Sequence, residues 1–133
     1  MVTARAPVRI DLAGGWSDAP PFCEQVGGDV VNIAINHYAH AKLETDESGK
    51  VSVSYSCDIP MGSGLGTSGA INVALMAVIN GAENSEELAF QFEKLLGNTG
   101  GRQDQWASRF GGMQHLKFIG KEVERVHLVP PPS

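Results

Sequence analysis

The chain has 133 residues, 42% hydrophobic and 19% charged, and its 10 basic against 15 acidic side chains leave a formal net charge of −5. That profile fits one soluble domain with a single hydrophobic core and excludes a multidomain machine. The acidic balance, with no Lys/Arg run, argues against nucleic-acid or anionic-membrane partners, and no apolar stretch reaches the roughly 18 residues of a membrane span.

Met1 to Gly15 carries Arg5, Arg9 and Asp11 where a secretory signal would be apolar, so the expected location is the cytoplasm. Cys23 and Cys57 form no CxxC pair, and His37, His40, His115 and His127 lack metal-ligand spacing, so neither a disulfide framework nor structural zinc is expected. The 16 glycines are clustered, at Gly14-Gly15, Gly27-Gly28, Gly62 to Gly69, Gly100-Gly101 and Gly111-Gly112. Such clusters mark backbone that turns sharply or approaches a ligand closely.

Thr3 to Gly15 reads as a strand in which Val8, Ile10 and Leu12 alternate with Arg9 and Asp11, putting the two charged residues on one face. Ala19 to Val26, with Pro20-Pro21 in its first turn and Gly27-Gly28 as its stop, reads as a short helix. Three strand-like runs follow, Asp29 to Ile35, Tyr38 to Glu44 and Lys50 to Tyr55, the last two joined by a turn at Asp46 to Gly49 as an antiparallel meander. Ser68 to Asn80 is apolar nearly all round, which predicts a buried helix closed by Gly81.

Asn84 followed by Glu87 resembles a capping box, and Leu88, Phe92, Leu95 and Leu96 then share one stripe up to Gly97, predicting an amphipathic helix. Gln103 to Phe110 is predicted as a third helix, and Met113 to Phe118 and Val123 to Val129 as closing strands before a Pro-Pro-Pro-Ser tail. Strands, then helices, then strands is an α+β order that predicts a two-layer sandwich.

Three stretches can carry chemistry. Pro60-Met61-Gly62-Ser63-Gly64-Leu65-Gly66-Thr67-Ser68 lies directly before the buried helix, where converging amides and the positive helix end can cradle phosphate oxygens. It is neither a Walker A loop nor GxGxxG, and a plain glycine-rich turn capping a core helix is the other reading. Glu93 lies about 100° from the centre of the apolar stripe, on the border between core and water. There it can act as a hard-oxygen Mg²⁺ ligand beside a helix-start hydroxyl, or be a solvated helix acid. Asp104 can serve as a base toward a substrate hydroxyl, or be neutralised by Arg102. Arg9, Asp11 and Asp18, with Trp16 between them, can hold a sugar by carboxylate hydrogen bonds and an indole face, or can form an ordinary surface loop.

In this order the stretches resemble the GHMP kinase superfamily of small-molecule kinases. Ala6-Pro7-Val8-Arg9-Ile10-Asp11-Leu12-Ala13-Gly14-Gly15-Trp16-Ser17-Asp18 is similar to its first motif, Pro60 to Ser68 to its phosphate loop, and Gly100-Gly101-Arg102-Gln103-Asp104-Gln105 to its Gly-x-x-Asp-Gln element. The Ala-Gly-Gly-Trp-Ser-Asp and Gly-Ser-Gly-Leu-Gly-Thr-Ser segments look most like the L-fucose kinase and heptose-phosphate kinase branch. The resemblance implies a ribosomal-protein-S5-domain-2-like fold and ATP-dependent phosphorylation of a sugar or sugar-phosphate hydroxyl. It implies that Pro60, Gly62, Ser63, Gly64, Leu65, Gly66, Thr67 and Ser68 hold ATP and that Ser68 and Glu93 hold Mg²⁺. It further implies Asp104 as base or electrostatic guide, Arg9 as the group that stabilises transferring charge, and Asp18, Trp16, Asp11 and Gly101 at the sugar.

Members of that superfamily are longer. They carry a second domain with a further glycine-rich motif, and a helical segment where this chain passes directly from Ser54-Tyr55-Ser56 to Cys57-Asp58-Ile59-Pro60. The 133 residues therefore read as the N-terminal, ATP-binding domain without its C-terminal partner. The apolar surface so left open is expected to support a homodimer. The competing reading is a noncatalytic domain that binds nucleotide or assembles with a partner chain.

Overall fold

A computed structural model describes residues 1–15, 17–19, 22–60, 64–96, 101–119 and 121–129. Trp16, Pro20-Pro21, Gly62, Ser63, Gly97 and Gly100 lie outside the described residues, together with the roles expected of them.

Five antiparallel strands form one sheet whose helices cover a single face, the α+β two-layer arrangement that the element order predicts. β1 (Val2–Ala13) pairs with one edge of β2 (Gly28–Thr45). β3 (Val51–Cys57) and β4 (Met113–Ile119) lie end to end on the other edge of β2, and β5 (Glu122–Leu128) lies outside β4. The two runs 29–35 and 38–44 are therefore halves of one 18-residue strand. The expected antiparallel pairing of 38–44 with 50–55 is present, and on that same edge the other half of β2 serves β4.

The two halves of β2 differ in phase. Between the pairs Pro7↔Tyr38 and Arg9↔Ala34, β1 has one residue and β2 has three, Ile35 to His37. Before this bulge Ala4, Ala6 and Val8 face the helices with Ala39 and Ala41; after it Arg9 and Asp11 do, opposite Ala34 and the buried Asn32. Arg9 and Asp11 thus share one face as the alternation predicts, that face is the one covered by the helices, and Ile10 and Leu12 are exposed. A bulge changes which side of a pleated strand each residue occupies.

Among the described residues helix α1 is Phe22–Gln25, inside the predicted 19–26, and its Cys23 sits in a buried cluster with Val30, Leu116 and Phe118. α2 (Thr67–Asn80) runs across β1 and β2, and α3 and α4 pack on it, so an all-round apolar sequence suits it. Gly81 ends it at φ 87°, donating its N–H to the Ala77 carbonyl at 2.9 Å; this left-handed geometry favours glycine. α4 is Gln103–Phe110, with the bounds predicted, and β4 and β5 follow as expected.

α3 (Ser85–Leu95) departs from its sequence pattern. Asn84 precedes it at φ 62° with no side-chain cap, so the capping box does not form; Glu87 instead accepts from Arg102 Nε at 3.0 Å and Trp106 Nε1 at 3.3 Å. The face turned inward carries Ser85, Glu86, Ala89, Phe90 and Glu93, while the Leu88, Phe92, Leu95 and Leu96 stripe is exposed, Leu95 at 86%. Glu93, hydrogen-bonded by Ser68 and Gln105 on other helices, orients the helix, whereas the buried Glu86 Oε2 only lies 3.6 Å from Arg109 and has no hydrogen-bond partner among the described residues. Leaving Glu93 buried and unpaired would cost more than wetting a leucine row. No helix among the described residues is long and apolar enough to cross a membrane.

Candidate functional site

The bulged strand, the start of α2, the middle of α3 and the start of α4 converge on one cavity of about 290 Å³. Arg9, Asp11, Gly15, Asp18, Ser68, Glu93, Gly101 and Asp104 line it, joined by Phe90, Gln103 and Gln105. The volume is near the lower limit for small-molecule clefts. Positions 93 and 104 face the same space.

Glycine makes the convergence possible. Gly66, at φ 73°, passes beside Asp104 and Arg9, and a Cβ there would lie 3.2 Å from the Asp104 Cγ. A Cβ on Gly69 would lie 2.6 Å from the Asp104 Cβ, and one on Gly101 would overlap the Asp18 carboxylate. The backbone at Gly66 and Gly69 is thus seated against α4. Among the described residues, the amides of Thr67 and Ser68 donate to no main-chain carbonyl, as expected at a helix start. Their carbonyl neighbours are engaged: Leu65 O accepts from Arg9 N and Gly64 O from Arg9 Nη1, both at 2.9 Å.

Two charged arrangements face one another. Arg9 Nε donates to Asp104 Oδ1 at 2.7 Å and Nη2 lies 2.6 Å from the same oxygen, so Oδ2 has no partner among the described residues. Arg102, offered by the sequence as the neutralising group, is committed to Glu87 and lies over the Phe90 ring at 4.0 Å. Ser68 Oγ donates to Glu93 Oε1 at 2.9 Å, and Gln105 Nε2 donates to Glu93 Oε2. Glu93 is 6% exposed, which corrects its expected place on the border with water. A buried carboxylate held only by neutral donors, with a hydroxyl at its side, is a pair of hard oxygens suited to a small divalent cation.

Toward the other end of the cavity, Asp18 Oδ2 accepts from Gln103 N at 3.1 Å and Asp11 Oδ2 from Gln103 Nε2 at 3.4 Å. Asp11 Oδ1, Gln103 Oε1 and Gln105 Oε1 are buried without a hydrogen-bond partner among the described residues. Unpaired acceptors in a cavity call for a ligand rich in donors. The sequence reading missed the roles of Gln103 and Gln105; their spacing on either side of Asp104 was the available signal.

Burial raises the Asp18 carboxyl above its ordinary 3.8, opposed by the Gln103 amide and reinforced by the Asp104 charge. The folded chain therefore holds this proton to higher pH than the unfolded chain does. Stability falls as pH rises from 3.8 through the raised value, and the full deficit persists at neutral pH. Asp18→Asn keeps an oxygen for the Gln103 amide and removes the buried charge. It is expected to raise the urea midpoint at pH 7.5, with the advantage shrinking as pH approaches 4.

A family model described as "GHMP kinases N terminal domain" matches residues 29–112, well over half of the chain. The chain belongs to the GHMP kinases. This GHMP domain is 26% identical to the D-glycero-alpha-D-manno-heptose 7-phosphate kinase of Campylobacter jejuni, over 91% of the chain and 52% of that protein. It is 25% identical to the bifunctional fucokinase/GDP-fucose pyrophosphorylase of Arabidopsis thaliana, over 93% of the chain and 18% of that protein. Among solved structures it matches a D-glycero-D-manno-heptose 1-phosphate kinase from Bacteroides thetaiotaomicron at TM-score 0.90 and 26% identity, covering 97% of the chain and 60% of that structure.

The GHMP domain thus spans about half the length of the Campylobacter relative and less of the plant enzyme. The alignments, 175 and 186 positions long, exceed the 133 residues of the chain itself, so both relatives carry additional residues inside the matched region.

Proposed function

We propose that this chain is the N-terminal, ATP-binding domain of a sugar kinase, a single domain over 1–133, transferring the γ-phosphoryl group of ATP to a hydroxyl of L-fucose or a heptose phosphate. The carrying observation is that the Arg9–Asp104 pair and the Ser68–Glu93 pair face one cavity at the N-terminus of α2. Phosphoryl transfer needs positioning and charge neutralisation more than covalent help, and these are the groups that supply both.

In this reading the loop from Pro60 through Gly62, Ser63, Gly64, Leu65, Gly66, Thr67 and Ser68 holds the phosphates of ATP on its amides and on the α2 dipole. Ser68 and Glu93 hold Mg²⁺, which when bound neutralises charge shared between phosphates. Asp104 takes the proton of the sugar hydroxyl on its free Oδ2 as the sugar oxygen bonds the γ-phosphorus and ADP leaves. Arg9, at the other Asp104 oxygen, offsets negative charge on the phosphoryl group in flight. Asp18, Asp11 and the Gly101 backbone, with Trp16, hold the sugar, and the unpaired acceptors of Asp11, Gln103 and Gln105 suit its hydroxyls.

A second reading keeps only nucleotide recognition on the same loop and cavity. In it the chain is a noncatalytic domain that binds nucleotide. Calorimetric titration with Mg·ATP, followed by ADP-release assays across a panel of neutral sugars and sugar phosphates, separates the two. Transfer supports the kinase, binding without transfer supports the second reading, and the absence of both overturns each. Glu93→Gln removes the anionic ligand while keeping its size and is expected to weaken Mg·ATP binding at least about tenfold, with far less effect on metal-free ATP.

A further inference from the structure

Among the described residues β3 pairs with β2 alone, and its other edge is unpaired. The Asp46 N–H bonds the Lys50 carbonyl and the Asp58 N–H the Tyr38 carbonyl, so even-numbered residues from 50 to 58 direct their backbone groups at β2. By strand geometry the N–H and C=O groups of Val51, Val53, Tyr55 and Cys57 point away from the sheet.

That edge has none of the usual protections. Val51-Ser52-Val53-Ser54-Tyr55-Ser56-Cys57 contains no charge, proline or glycine. Val51, Val53 and Tyr55 lie on the helix side of the sheet yet are 58%, 43% and 63% exposed, because α2 lies over β1 and β2. Water reaches such a row of donors and acceptors, but a second extended strand satisfies all of it at once while covering the exposed Val51, Val53 and Tyr55.

The sequence identifies that strand. Laid antiparallel to a second copy about Ser54, β3 sets Val51 opposite Cys57, Val53 opposite Tyr55, Ser52 opposite Ser56 and Ser54 opposite itself. Apolar meets apolar on one face and hydroxyl meets hydroxyl on the other. The register also makes the outward-directed residues the hydrogen-bonded pairs, about eight bonds in all. Just beyond the strand, Lys50 of each copy falls opposite Asp58 of the other, so opposite charges close both ends.

We propose that β3 joins two copies of this chain edge to edge across a two-fold axis at Ser54, making one continuous antiparallel sheet. The inference is independent of the kinase reading. It differs from a dimer through the α3 leucine stripe, which lies on another element.

Light scattering and sedimentation on the full chain should give twice 14.1 kDa at high micromolar concentration. Ser54 is exposed, so Ser54→Lys is expected to keep the fold by circular dichroism while opposing like charges across the axis, raising the dimer dissociation constant at least about tenfold. Ser54→Cys should give a covalent dimer on mild oxidation, since facing residues in a non-hydrogen-bonded pair stand about 4.5 Å apart at Cα, within disulfide reach. Ser52→Cys alone should not cross-link through its own position, whereas mixing it with Ser56→Cys should. A wild-type monomer at all concentrations, a dimer indifferent to Ser54→Lys, or cross-linking that ignores this register overturns the proposal. A dimer broken by Leu95→Lys instead assigns the contact to α3 and overturns it equally.

Discussion

Asp104→Asn is expected to lower phosphoryl transfer about 10²- to 10⁴-fold, the usual worth of a positioned general base, while Mg·ATP binding changes by less than about threefold. The split follows from the geometry. Arg9 touches only Oδ1 of Asp104, so an asparagine oxygen can still accept the Arg9 Nε bond and hold the strand against α4. What the substitution removes is the negative charge and the basicity of Oδ2, which has no hydrogen-bond partner among the described residues. ADP-release kinetics beside calorimetry check both halves. Transfer within about threefold of wild type would strike Asp104 from the role of base, and equal loss of nucleotide binding would make it a structural prop of the phosphate loop.

Gly69→Ala is expected to destabilise the domain by about 1–3 kcal/mol, although alanine is the better helix former by about 1 kcal/mol. Its sign is therefore decisive. The new Cβ would stand 2.6 Å from the Asp104 Cβ and 3.3 Å from both the Asp104 carbonyl carbon and the Gln105 nitrogen. These are main-chain atoms and the root of a side chain, with no flexible end to swing aside, so α4 must move away from α2. Urea unfolding measures the cost. Because Asp104 and Gln105 would shift together, nucleotide binding should weaken as well, and an unchanged or stabilised protein would show that the helices are not held at this distance.

Residue pattern carried much of this architecture and failed where partners were remote. α2, α4, β4 and β5 were legible because a glycine stop, an apolar run or strict alternation is written into contiguous residues. The fusion of 29–35 with 38–44 was not, since Asn36 and His37 read locally as a break and only pairing to β1 on one side carries the strand across them. The facing of α3 was misread for a related reason. Counting apolar side chains finds Leu88, Phe92 and Leu95, but Ser68 and Gln105, on other helices, hold Glu93 and decide which way the helix turns. The site followed the same division. Its members on the glycine loop and the first strand stood out as clusters, whereas the burial of Glu93 and the supporting amides of Gln103 and Gln105 became visible only once three helices met.

The surplus of Ile35 to His37 over Val8 has a mechanical meaning for the strand that carries Arg9. Spacing along the polypeptide here works like the teeth of a gear. Shortening that stretch by the two extra residues would let Ala6 and Val8 keep their places while everything downstream clicked over by one tooth. Ile10 and Leu12 would then rotate inward, and the guanidinium would swing out into bulk water on the far side. Whether this domain presents a cation to its cleft is thus decided by chain length in a neighbouring strand, at positions that never touch the ligand.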